Sequence, residues 1–222
     1  MPAAPAGPAP RRRSVLTALA ALVPLTASGC AAREHPAPAP GPRPPARDAL
    51  VMLIPHAEKP YPGATGEDDE GNEDPGSLAG RGRRRAGELH RLFGPAHGAP
   101  LPRPAALFAA GGPPSAPARC RQTLAPLATA LRVPVQDRFA HGAEAGAARA
   151  ALDAPAPVLL CWEPAGIPRL VHALGAHRVR GLPAAWPDRS DLVWTLTRSR
   201  GNWTFRELPQ RLLPGDGDGD AR

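Results

Sequence analysis

The sequence predicts an α/β fold, a three-layer α/β/α sandwich with a mostly parallel central sheet. Short apolar runs alternate with helical patterns through residues 48–216, and this alternation is typical of a sheet covered by helices on both faces. The runs ALVMLI at 49–54 and VLLCW at 158–162 are apolar at every position, as in strands buried on both sides. A chain of 222 residues with 42% hydrophobic residues has room for one such domain with terminal segments.

The elements are predicted in the following order along the domain. Strands are predicted at 49–54, 105–110 and 158–162, and a closing hairpin at 191–197 and 202–208. Helices are predicted at 77–93, 122–132, 143–152 and 167–174. Pro126 is expected in the first turn of the second helix, where a missing N–H removes no helical hydrogen bond. Arg83, Arg84 and Arg85 are expected on a solvated helix face.

The amino-terminal segment is predicted to direct export. Residues 1–30 contain three consecutive arginines, a short apolar run at 14–25 and small residues before Cys30, which is the pattern of a secretory signal. The arginines also resemble a twin-arginine signal, and 27–30 resemble the lipobox of bacterial lipoproteins, with Ala27 in place of the usual Leu. The prediction is an exported protein, either a membrane lipoprotein anchored at Cys30 or an extracellular protein.

The segments flanking the domain are predicted to be unpacked. Residues 31–47 alternate Pro with Ala and Gly, a composition typical of an extended linker. Residues 217–222 are predicted to form a flexible tail, because they contain nothing apolar enough to bury.

The distribution of charge argues against nucleic acid as a partner. The formal net charge is +7. Residues 1–47 hold six arginines against one glutamate, so 48–222 retain only +2. A near-neutral domain with mixed signs gives little attraction to a phosphate backbone.

Polar residues follow three of the predicted strands, where ligands sit in α/β folds. His56, Glu58 and Lys59 follow the first strand, Arg119 opens the segment after the second, and Glu163 follows VLLCW. No cysteine or histidine spacing is typical of a zinc site, so no metal and no cofactor are expected. Cys120 and Cys161 are either free or paired, since an exported protein meets an oxidising compartment.

These segments resemble the histidine phosphatase superfamily, which includes the phosphoglycerate mutases. In that family a strand is followed by Arg-His-Gly or Arg-His-Ala-Glu-Lys, and residues 54–60 read Ile-Pro-His-Ala-Glu-Lys-Pro. The Ser-Leu-Thr-x-x-Gly stretch resembles 77–82, and the Arg-x-x-Gln-Thr motif matches 119–123. Later segments resemble exported members of the family: 194–197, 201–203 and 212–216.

The resemblance implies the roles of the site residues. His56 would be the nucleophile that forms a phosphohistidine, and Arg119 would clamp the phosphate with its planar fork. Glu58 and Lys59 would flank the pocket, and Glu163 would be either a proton donor or a helix-start acid. The ligand would be a phosphorylated small molecule or a phosphoprotein.

Two positions depart from the family pattern. Pro55 stands where the family has an arginine before the nucleophile, and Glu163-Pro164 stand where its second histidine is expected. The loss of one transition-state donor typically costs about 10²–10³ in rate. Arg121, His141 and His172 are candidate replacements. Two functions stay open: a phosphomonoesterase with impaired activity, and an inactive pseudophosphatase that binds a phosphorylated ligand or a protein partner at the cell surface.

Overall fold

The structure is a computed structural model that describes residues 47–94, 98–113 and 116–217. The predicted signal, the linker as far as residue 46, and most of the tail lie outside the described residues. Within the described ranges, no helix is both long enough and apolar enough to cross a membrane.

Six strands and five α-helices form the domain. The strands are β1 Ala49–Pro55, β2 Ala106–Gly111, β3 Val135–Ala140, β4 Val158–Trp162, β5 Leu192–Ser199 and β6 Asn202–Pro209. The helices are α1 Gly80–Glu88, α2 His90–Phe93, α3 Arg119–Leu131, α4 Glu144–Asp153 and α5 Ile167–Leu174, with a 3₁₀ turn at Pro164–Gly166.

The strands form a single sheet in the order β3-β2-β4-β1-β5-β6. The first four positions pair in parallel, whereas β1–β5 and β5–β6 pair antiparallel. The connections from β1 to β2 to β3 run across the sheet in one direction, and the connection from β3 to β4 runs back. Because such crossovers are right-handed, α1–α3 and α4–α5 cover opposite faces, and α1 packs on α3 while α4 packs on α5. The predicted α/β sandwich is confirmed.

The strands β1 and β4 fill the centre of the sheet because their side chains are apolar on both faces. Residues 51–55 of β1 and all five residues of β4 are buried. Their register pairs Ile54 with Cys161 and Pro55 with Trp162. The residues that follow the two strands, His56 and Glu163, therefore emerge side by side at the same edge of the sheet.

The closing hairpin forms as predicted. Ser199 and Asn202 pair across the turn, and Arg200 and Gly201 both have positive φ angles, 49° and 83°. Two successive positive φ values make a tight turn whose twist matches the twist of the strands.

Three details of the predicted elements were wrong. The strand β3 was not predicted, because it is a half-exposed edge strand, VQDRFA, with no apolar run. The helix predicted at 77–93 begins at Gly80 and breaks at Leu89 into α1 and α2. The helix α3 begins at Arg119, three residues before the predicted start, so Pro126 lies in the helix interior instead of the first turn.

Candidate functional site

A cavity of about 700 Å³ opens at the edge of the sheet where β1 and β4 end. All five residues predicted for the site line it: His56, Glu58, Lys59, Arg119 and Glu163. The opposite wall consists of residues 186–191, which lead into β5, and of residues 215–217. The sheet topology thus brings residues far apart in sequence to one pocket.

The imidazole of His56 is held in one orientation. Nδ1 lies 2.7 Å from the carbonyl oxygen of Ala57, and the ring is mostly buried, with 7% of the residue exposed. The N–H of Ala57 donates to Thr123 Oγ1 at 2.9 Å, and that hydroxyl donates to the Arg119 carbonyl oxygen at 2.7 Å. This chain of hydrogen bonds ties the loop after β1 to the first turn of α3.

A second contact between the same segments uses Gln122. Its Oε1 accepts the N–H of Leu78 and its Nε2 donates to Ser77 Oγ, both at 2.9 Å. The Gln-Thr pair of the motif therefore holds the residues that precede α1 as well as the loop of His56.

The second ring nitrogen of His56 faces Glu163. Nε2 lies 3.2 Å from Glu163 Oε2. The hydrogen bond from His56 lowers the pKa of Glu163, although burial acts in the opposite direction, so this side chain is a carboxylate at neutral pH. Both ring nitrogens thus face hydrogen-bond acceptors, an arrangement satisfied when each nitrogen carries a proton.

Arg119 has donors available for an anion. One terminal nitrogen donates to the carbonyl oxygen of Pro75 at 3.1 Å. Its Nε is buried and has no partner. The positive charge also lowers the pKa of Glu163, which places the guanidinium within electrostatic reach of the His56 pair. Lys59 is exposed at the rim of the same pocket.

Glu58 belongs to a buried ionic cluster. Its carboxylate accepts from Arg81 Nε at 3.1 Å and from Arg85 Nη2 at 2.7 Å. Arg85 also donates to Asp216 at 2.6 Å and to Gln210 at 3.2 Å. The cluster of Glu58, Arg81, Arg85, Asp216 and Gln210 fixes the chain's carboxy-terminal segment against the loop after β1.

The expectation that Arg85 is solvated was wrong. Only 2% of the residue is exposed, whereas its neighbour Arg84 is exposed. The absence of a side chain at Gly82 permits the burial, because a Cβ there would lie 2.5 Å from the carbonyl oxygen of Glu58. The helix therefore approaches the loop closely enough for Arg85 to reach two carboxylates.

Asp216 is the most tightly held carboxylate of the cluster. It accepts the N–H groups of Leu212 and Leu213, both at 2.9 Å, besides the Arg85 contacts. Burial raises the pKa of Asp216, but the Arg85 hydrogen bond and these amides outweigh that effect and lower the pKa to about 2. The sequence marks this residue only as the end of the late motif at 212–216, and its ionic role was not predicted.

The two departures from the family pattern differ in position. Pro55 is buried in β1, and its carbonyl oxygen accepts the thiol of Cys161 at 3.4 Å. Pro164 lines the pocket immediately after Glu163. An added side chain at 164 would therefore enter the pocket more directly than one at 55.

None of the candidate replacements lines the described part of the pocket. Arg121 lines a separate cavity of about 270 Å³, and His172 stacks on His177 at the end of α5 with ring centroids 4.3 Å apart. His141 follows β3 and lies 3.1 Å from Arg169. The charge of His141 also lowers the pKa of Glu163, so this histidine acts on the His56 pair from a distance, although it does not line the described part of the pocket.

A second buried carboxylate, Glu144, was not predicted. It accepts from Arg169 at 3.0 Å, from Trp162 Nε1 at 3.3 Å and from the N–H of Gly142 at 3.1 Å. Burial raises the pKa of Glu144, but these hydrogen bonds lower it to about 2. No local pattern signals the two side-chain contacts, because these partners come from β4 and α5.

Cys120 and Cys161 are free thiols, both buried. Burial and the neighbouring Cys161 both raise the pKa of the Cys120 thiol. A raised pKa disfavours a reactive thiolate at Cys120. Among the described residues, no three metal-binding side chains form a group that would hold a metal ion.

Comparison with known proteins finds no matching protein-family model and no matching curated protein. Among solved structures, the chain is similar to one named Mycobacterial hydrolase 1, at 13% identity and a TM-score of 0.42, over 72% of this chain and 97% of that one. It is also similar to a protein of Escherichia coli described as an alpha-ribazole-5'-P phosphatase, at 16% identity and a TM-score of 0.43, over 72% and 96%. Both are likenesses of fold at low sequence identity.

Proposed function

We propose that this chain is a phosphomonoesterase in which Nε2 of His56 attacks phosphorus and forms a phosphohistidine. The observation that carries the proposal is the orientation of the ring, whose Nδ1 lies against the Ala57 carbonyl oxygen so that Nε2 faces Glu163 in the pocket. Arg119, with an unpartnered buried Nε, lines the same pocket. A guanidinium there would bind the phosphoryl oxygens, on which negative charge develops during transfer.

Glu163 would move the proton that this reaction requires. The carboxylate takes the proton from Nε2, from which it lies 3.2 Å away, and leaves a lone pair on the nitrogen for attack. As the bond between phosphorus and the ester oxygen breaks, Glu163 gives that proton to the departing alkoxide. The carboxylate then takes a proton from the water that hydrolyses the phosphohistidine and passes it to Nε2 as phosphate leaves, which restores the starting state of the His56–Glu163 pair.

Ligand binding without turnover is a second candidate function, and two observations favour it. The Glu163 carboxylate lies 3.2 Å from Nε2, on the side of the ring where the phosphorus atom would have to approach. In addition, five acidic side chains and, besides His56, five basic side chains line the described part of the pocket, which gives a weaker field for a dianion than a cationic pocket would. In this case the ligand would be a phosphorylated small molecule or a phosphoprotein.

Replacing His56 with alanine is expected to lower the hydrolysis of an aryl phosphate by at least about 10³-fold, because the covalent route needs the nucleophile. Release of inorganic phosphate by the full chain measures the change. Denaturation of the protein during turnover of a ³²P-labelled substrate should also trap a label that is stable to alkali and lost in acid.

His172→Ala is the matched control, since this exposed histidine lies outside the pocket. Loss of hydrolysis in the His56 variant alone would support the phosphohistidine. Equal rates in the wild-type chain and both variants would contradict catalysis by His56 and favour ligand binding without turnover.

We also propose that the chain is exported and carries a lipid on Cys30. The support is the arrangement of charged, apolar and small residues at 1–30, which lie outside the described residues. Cells grown with labelled palmitate should incorporate label into the wild-type chain and not into Cys30→Ala. Secretion of an unlabelled wild-type chain would contradict the anchor and keep export, whereas retention inside the cell would contradict both.

A further inference from the structure

The charged side chains of the pocket do not all neutralise one another. Arg189 is paired with Asp191 at 2.7 Å, and the two arginines of the buried cluster are paired with Glu58 and Asp216. Among the described lining residues, Lys59, Arg119 and Asp188 make no ion pair. The described part of the pocket thus presents two positive charges and one negative charge that form no ion pair, beside the His56–Glu163 pair.

The charges of Arg119 and Asp188 enter the pocket from opposite sides of His56. Arg119 begins α3 on the β2 side of β1, and its charge acts on Glu163 after β4. Asp188 belongs to the segment that enters β5, which flanks β1 on the other side. A ligand centred on His56 therefore meets a cation at one side and a carboxylate at the other.

The wall that carries Asp188 also offers an aromatic residue. Trp186 lines the pocket, and its indole N–H donates to the Arg189 carbonyl oxygen at 2.9 Å. Its ring packs against Trp194 with centroids 4.5 Å apart, which fixes its position. An aromatic ring and a carboxylate on one wall of a pocket are a combination that attracts ammonium groups, through cation–π attraction and charge pairing.

We propose that the substrate class of this site is the phosphate monoester of an amino alcohol, with the phosphate at His56, Arg119 and Lys59 and the ammonium at Asp188 and Trp186. The inference rests on the proposed function, because it takes His56 as the phosphate end. The two negative charges of a phosphate monoester match the positive charges of Arg119 and Lys59. The single positive charge of the ammonium matches the carboxylate of Asp188. Ligands with several phosphates would exceed the available positive charge. A cavity of about 700 Å³ has ample room for such a small molecule.

Calorimetric titration of the full chain with matched ligands tests the ammonium site. Phosphocholine is compared with an isostere that keeps the phosphate but has an uncharged quaternary carbon in place of the nitrogen. It is also compared with glycerophosphocholine, a diester with the same choline group. Phosphocholine is expected to bind about tenfold more tightly than the isostere. The diester should bind more weakly than phosphocholine because it carries one negative charge fewer.

The variant Asp188→Asn should reduce the preference for phosphocholine over the isostere to about twofold, because the carboxylate that pairs with the ammonium is lost. Asp153→Asn, at an exposed carboxylate outside the pocket, should retain the tenfold preference. Equal binding of the two isosteres by the wild-type chain would overturn the ammonium site, as would an unchanged preference in Asp188→Asn. Tighter binding of the diester would overturn the monoester assignment.

Release of inorganic phosphate in the same samples separates this inference from the proposed function. A preference for phosphocholine without release would contradict hydrolysis and support the ammonium site. Release of phosphate with equal affinities would support hydrolysis and overturn the ammonium site. Failure of every ligand to bind would overturn both.

Discussion

Replacing Arg85 with alanine is expected to destabilise the domain by about 3–5 kcal/mol, because removal of one partner leaves buried charges uncompensated. Arg85 is 2% exposed and binds both Glu58 and Asp216. Its loss would leave these two carboxylates with Arg81 alone, which is partly exposed. Chemical denaturation followed by circular dichroism gives the change in the free energy of unfolding.

Arg84→Ala is the matched control for this variant. Arg84 occupies the preceding position of the same helix and is exposed, so its replacement should change the free energy of unfolding by less than about 0.5 kcal/mol. Similar values for the two variants would contradict the stabilising role of the buried cluster.

The cluster also gives the pH dependence of stability a definite sign. Because its pKa is lowered from 3.8 to about 2, the carboxylate of Asp216 contributes stability above pH 3.8 that is lost as the pH falls toward 2. In the Arg85→Ala chain the main cause of the lowered pKa is absent, so this part of the acid-induced loss should be smaller. Denaturation curves recorded at several pH values across that window would measure it.

Replacing Pro164 with histidine is expected to raise the rate of aryl phosphate hydrolysis by about 10²–10³-fold. Position 164 lines the pocket directly after Glu163, and these two residues stand where the pattern that the sequence resembles would have its second histidine. An imidazole there would donate to phosphoryl oxygens that gain negative charge in the transition state, and the described part of the pocket has no such donor after Glu163. Comparison of kcat between the variant and the wild-type chain measures the gain.

Pro168→His separates this effect from the loss of a proline. Pro168 lies in the first turn of α5 and lines a different cavity, of about 250 Å³. A histidine at this position should leave kcat unchanged. An equal gain in both variants, or no gain at 164, would contradict the assignment of that position to the transition state.

The sequence predicted the sheet well where burial is complete. The runs that form β1 and β4 are apolar at every position, and nothing but a buried strand or helix accommodates such a run. Ligands in such folds bind at the carboxyl ends of the parallel strands. The predicted order of strands and helices therefore placed His56 and Glu163 at one edge of the sheet. The five site residues could therefore be placed near one another from the sequence alone.

The features that escaped prediction depend on contacts that are distant in sequence. The edge strand β3 is held by pairing with β2, and its own residues show no apolar run. Arg84 and Arg85 stand in one run of arginines, and Arg85 differs by its contacts to Glu58, 27 residues earlier, and to Asp216, 131 residues later. Residues 186–190 of the opposite wall carry no strand or helix pattern, so their charges could not be assigned to the pocket.

Asp216 attaches the carboxy-terminal segment to the wall of the pocket. Ligand binding and attachment of this segment are therefore coupled. Residues 215–217 line the cavity, so any ligand that contacts them binds the attached form more tightly than the detached form. By reciprocity, the ligand must increase the fraction of attached segment by the same factor by which attachment increases its affinity. A substitution that weakens attachment of residues 215–217 would thus lower the affinity for a ligand that contacts them, even when the phosphate of that ligand lies at His56.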